Sequence, residues 1–63
     1  MEPHQERVVT EKAELDGNIE RLDAFLRSDK SSVISEDERD RMARQHTAMS
    51  EYSRILGERI EAF

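Results

Sequence analysis

The chain has no cysteine and no tryptophan, a single proline and two glycines among its 63 residues. Without cysteine there can be neither a disulfide nor a thiolate metal site. Imidazole is limited to His4 and His46. A chain this short buries only about 60% of the surface its unfolded form exposes. Its core rarely supplies more than roughly 3–5 kcal/mol unless a disulfide, a metal or a second subunit helps. Self-association is therefore the expected extra source of stability. A basic excess is also missing: ten Lys and Arg stand against fifteen Asp and Glu, a formal net charge of −5. Generic binding to nucleic acid or to an anionic membrane needs the opposite field. No apolar run approaches the roughly 20 residues of a membrane span or the form of a signal peptide. The expectation is a soluble protein of the cytoplasm.

What is present is charge and period. Forty percent of the residues are charged and 35% hydrophobic, a balance shared by helical bundles and by disordered chains. Regular apolar spacing favours the bundle. Val8, Lys12, Leu15, Ile19, Leu22 and Leu26 follow one another at steps of four and three, the alternation of a helix that faces another helix. Val9 and Phe25 widen the stripe, and Pro3 suits a first helical turn. This predicts a helix over about 3–28.

The stretch SDKSSVIS, residues 28–35, interrupts the pattern and reads as a turn over about 29–35. Ser35-Glu36-Asp37-Glu38 then reads as a capping box, with Ser35 accepting from the Glu38 amide and Glu38 reaching back to the Ser35 amide. A second helix is predicted over about 36–62. In it Met42, Met49, Leu56 and Phe63 recur every seven residues. The alternate stripe position falls on Gln45 or His46, Tyr52 or Ser53, and Arg59 or Ile60. Asp23–Arg27, Asp37–Arg41 and Asp40–Arg44 have the acid-first i,i+4 order that favours surface pairing.

Two helices of near-equal length joined by a short turn make an all-α fold, an antiparallel two-helix hairpin forming one domain over residues 1–63. The expected register sets Leu26 opposite Met42, Leu22 near His46, Lys12 near Leu56 and Val8 near Ile60. The core expected from it comprises Val8, Leu15, Ile19, Leu22, Phe25, Leu26, Met42, Met49, Ile55, Leu56, Ile60 and Phe63. Each helix of a hairpin covers only one side of the other, leaving Val9, Phe25, Ile55 and Phe63 wet. Two hairpins face to face form a four-helix bundle and remove that exposure, so a homo-oligomer is expected, a dimer ahead of a higher order.

Catalytic and metal sites have little support. A catalytic triad needs a shaped cleft and an oriented base, which one hairpin does not offer. His4 and His46 fall at opposite ends, and neither follows the Glu-x-x-His spacing of di-iron bundles. No catalytic residue, metal or cofactor is expected, and the chain is read as a non-enzyme. Lys12 interrupts the apolar series; its stem is expected to pack while its ammonium reaches Glu61 or another edge carboxylate, with register control as the sharper role. Tyr52 has the chemistry of an interface anchor. Arg27, Lys30, Arg41 and Arg44 gather near the turn, interleaved with acids, and only an oligomer could converge them on an anion.

Two stretches carry a family resemblance. Leu15, Ile19, Leu22, Phe25 and Leu26 in the first, and Gln45, Met49, Tyr52, Ile55, Leu56, Arg59 and Ile60 in the second, resemble a family of short phage and prophage proteins named after a gene of a crAss-like phage. The resemblance spans roughly residues 5–63. It implies a bacteriophage origin and expression in a host bacterial cytoplasm, and it carries over no site. Small phage accessory proteins are often inhibitors of host defence, an association of class. The leading expectation is non-catalytic inhibition of a host or anti-phage defence protein, with Glu36, Asp37, Asp40 and Tyr52 as contacts. The alternative is a homo-oligomeric sponge for a nucleotide immune signal such as a cyclic nucleotide, using Arg27, Lys30, Arg41 and Arg44. A purely structural oligomerisation module is the third reading.

Overall fold

A computed structural model describes residues 1–63. Helix α1 runs from Pro3 to Arg27, a short 3-10 segment spans Asp29–Val33, and helix α2 runs from Glu36 to Glu61. Both helices end one residue short of the expected limits. The two pack side by side into a hairpin of 45 × 15 × 13 Å.

Local chemistry explains each boundary. At the start of α1 the Gln5 side chain accepts from the Glu2 amide at 3.0 Å, a cap whose Glu-Pro-His-Gln signature escaped the sequence reading. The turn uses its four serines one by one. Ser28 Oγ donates to the Phe25 carbonyl at 2.7 Å, and buried Ser31 donates to the carbonyls of Ser28 and Leu26 at 2.9 and 3.3 Å. These hydroxyls satisfy carbonyls that the end of α1 leaves without an intrahelical partner. Ser32 donates to the Asp29 carbonyl at 2.7 Å. Ser35 caps α2 by accepting from the Glu38 amide at 3.1 Å.

Half of the expected capping box is thus present. The Glu38 carboxylate does not return to the Ser35 amide; it accepts from Arg41 Nε at 2.8 Å instead. Arg41 thus pairs with Glu38, three residues back, and the expected Asp37–Arg41 pair does not form. The other two acid-first pairs form, Asp23–Arg27 at 3.1 Å and Asp40–Arg44 at 3.0 Å. Since Ser35 supplies the side-chain acceptor for the first-turn amides of α2, Ser35→Ala should cost about 1 kcal/mol. A urea titration followed by circular dichroism would register it as a lowered midpoint at unchanged slope.

The register lies within one residue of the expected one. Asp16 stands across from Ser53, Asp23 from His46, and the His4 ring meets the Phe63 ring edge-on at 6.5 Å. The alternate stripe positions of α2 resolve in favour of His46, Ser53 and Ile60, which are half-buried or buried, while Gln45, Tyr52 and Arg59 are exposed. Of the twelve expected core residues only Val8 and Leu56 are buried in the single chain. Ile55 and Phe63 remain 44% exposed, and the other eight are half-buried.

Candidate functional site

Helix phase divides the hairpin into two flanks. Each residue advances about 100° around an α-helix, so Tyr52 and Ser53 look to opposite sides of the seam. Their contacts show it: Tyr52 donates its hydroxyl to Glu11, whereas Ser53 donates to Asp16. His46 and Gly57 share the Ser53 side. Gln45, Ile55 and Arg59 share the Tyr52 side.

The Ser53 flank is polar. Lys12 Nζ donates to Asp16 at 2.8 Å, and Asp16 also accepts from Ser53. These bonds, Lys12 first and Ser53 second, hold the Asp16 carboxyl below the usual carboxylate range. The ammonium therefore reaches an edge carboxylate as expected, but it is Asp16, one turn along its own helix, rather than Glu61. Gly57 lies against the lysine stem: a methyl group added there would lie 3.4 Å from Lys12 Cε, at the edge of ordinary van der Waals contact. His46 Nε2 stands 3.8 Å from Asp23. No group of three or more side chains is placed to hold a metal ion.

The Tyr52 flank is apolar. Leu15, Leu22 and Phe25 on α1, with Ala48, Tyr52 and Ile55 on α2, share this side by phase. Glu11 and Arg59 bound it toward the open end. Arg59 forms no ion pair within the chain, unlike Arg54, whose carboxylate partners Glu51 and Glu58 raise its already high pKa.

The turn-end cations do not converge in one chain. Arg27 is held by Asp23, Arg41 by Glu38 and Arg44 by Asp40, while Lys30 has no ion pair. Arg27 and Arg41 also project from opposite flanks by phase. Among the acidic candidates, Glu36 and Asp37 are exposed at the start of α2 and Asp40 is engaged by Arg44. Tyr52 lies about 22 Å along the helix from Asp37, so these four do not form one patch. The sole concavity is an open depression along the outer side of α1, lined by Glu6, Arg7, Thr10, Glu11 and Glu14 beside Pro3, with no hydrophobic wall.

The Lys12–Asp16–Ser53 cluster and the isolated Arg59 were not singled out as a unit from sequence. The available signal was Ser53 and Gly57 one turn apart, a small-residue notch opposite a lysine in an apolar series.

The fold and flanks define an all-α helical hairpin, polar along one side of its seam and apolar along the other. No helix is long and apolar enough to cross a membrane. The chain belongs to the Sequestin family, whose sequence model matches residues 2–62. No curated protein and no solved structure matches it.

Proposed function

We propose that the chain is a non-catalytic sequestering protein that captures a phosphate-bearing nucleotide signal in a site built from more than one copy. The family name is the coarse support, since it denotes sequestration. The observation that carries the finer reading is the state of the turn-end cations. Arg27, Arg41 and Arg44 are each held by a single carboxylate of their own helix, in exposed pairs. Such pairs contribute about 0.2–1 kcal/mol, so a phosphate making bidentate bonds can displace them. Lys30 is free to join. One hairpin offers no concave site for these groups, which is why the site belongs between copies. The setting implied by the resemblance above is a phage protein acting in the host bacterial cytoplasm.

A second reading, inhibition of a host or defence protein, is favoured by Glu36 and Asp37, exposed and without ion pairs at the start of α2. A thermal-shift panel of cyclic mono- and dinucleotides, with inorganic phosphate as control, separates the two. At a hundredfold excess over Kd a captured nucleotide stabilises by about 2.7 kcal/mol, or a Tm rise of roughly 10 °C or more for a chain this small. Arg41→Ala or Arg44→Ala should abolish the shift. The nucleotide should be recovered chemically unchanged after heating, as sequestration without turnover requires. Indifference to every nucleotide, with a stable complex formed by a purified defence protein and weakened by Asp37→Lys, would replace this reading with the second.

A further inference from the structure

The apolar flank is the largest feature that the hairpin itself leaves unused. The isolated chain exposes 4797 Å², whereas a compact protein of 7.4 kDa exposes about 4,200 Å². The excess comes from its rod shape, which leaves Tyr52, Ile55 and Phe63 each 44% exposed. A flat face of 45 × 15 Å offers a footprint of roughly 700 Å², close to the 800 Å² or so that each partner contributes to a standard interface.

Charge placement selects the occupant and its direction. Suppose a second hairpin lies on this flank about a two-fold axis parallel to the rod. Each level of α1 then meets the same level of the other copy's α2. In the observed register Leu15 faces Ile55 of the other copy, Leu22 faces Ala48, and Glu11 faces Arg59. Like Arg7, Arg21 and Arg39, Arg59 has no ion pair in its own chain, and unlike Arg39 of the same helix it lies at the border of the apolar flank. The reverse packing, turn against open end, sets Arg59 on Ala48 and Glu11 near Leu22, desolvating Arg59 with no partner and leaving Glu11 only the Tyr52 hydroxyl of its own chain. We propose that this flank is a homodimer surface of the first kind, with both turns at one end and Glu11 of each copy against Arg59 of the other. The assembly deepens the sequestering reading, because it brings the Lys30, Arg41 and Arg44 of two copies to the same end of one four-helix bundle.

Sedimentation without any nucleotide tests the surface, so its result is independent of ligand capture. The wild-type chain should dimerise. Ile55→Glu should weaken the dimer about 100-fold while circular dichroism shows the helices retained, and Ser50→Glu on the other flank should leave it unchanged. Arg59→Glu should weaken it about tenfold, and combining it with Glu11→Arg should restore it. Val33→Cys supplies a unique thiol at the exposed turn, and spin labels there should lie well within the 45 Å length of the hairpin. A monomer at every concentration, an Ile55→Glu dimer as tight as wild type, or labels a full hairpin length apart would overturn the proposal. A dimer that captures no nucleotide would overturn only the sequestering reading, and a monomer that captures one would overturn the dimer and the placement of the site between copies while leaving capture itself standing.

Discussion

Leu56→Ala is expected to cost about 2–5 kcal/mol, most of the stability a core this small supplies. Leu56 is 1% exposed, the most deeply buried side chain of the hairpin, and Val8 at 5% is its only apolar companion in that class. Truncation leaves a cavity where two thin helices have no further layer to collapse into it. Leu22→Ala removes the same atoms from a half-buried position, and there the loss should be the smaller of the two. Urea midpoints for both variants, taken at one protein concentration because assembly contributes to apparent stability, give the comparison. Equal losses would mean that burial in the single chain does not rank these positions, and that Leu22 is covered by another copy as fully as Leu56 is by α1.

The comparison bears on how much of this molecule could be read from its residues. The hairpin was legible because its signals are local and repeated: a four-three apolar series in α1, a heptad in α2 and a serine-rich break between them. The register followed, since matching the stripes leaves few alternatives. The choice between neighbouring stripe positions was not legible. Tyr52 and Ser53 are both compatible with the period, and hydrophobicity alone favours the tyrosine. The structure seats Ser53 in the seam, where its hydroxyl donates to Asp16, and leaves Tyr52 exposed on the other flank. Side-chain pairing was legible only by spacing. Asp37 and Glu38 both lie within a turn of Arg41, and which one takes the guanidinium depends on rotamer and approach. The site was the least legible part, because surfaces that act between copies leave no motif within one. Arg59 stands out only once it is known to border the apolar flank without an ion pair, while Arg54 close by carries two carboxylate partners.

Ser53 is also where repairing the sequence pattern should fail. A leucine at this seam position would complete the apolar series of α2, and by pattern alone it should stabilise the hairpin. Ser53 is 8% exposed and bonded to Asp16, so the larger side chain has to push α1 aside and strip the carboxylate of a donor. Overpacking of this kind costs about 1–3 kcal/mol, and Ser53→Leu should lower the urea midpoint accordingly. Ser53→Ala keeps the space and removes only the hydroxyl, which makes pH the informative variable. The folded pKa of Asp16 is depressed, so its contribution is present above the ordinary carboxylate range and is lost as pH falls through the lowered value. Removing one of its two donors brings the folded pKa back toward the unfolded one. The share of the acid-side loss that belongs to Asp16 should then shrink in Ser53→Ala, while the share from Glu51, held low by Arg54, persists. A Ser53→Leu variant more stable than wild type would show that the notch is a packing defect rather than a seat for the Lys12–Asp16 pair. An acid limb unchanged in Ser53→Ala would show that Lys12 alone sets the Asp16 carboxyl.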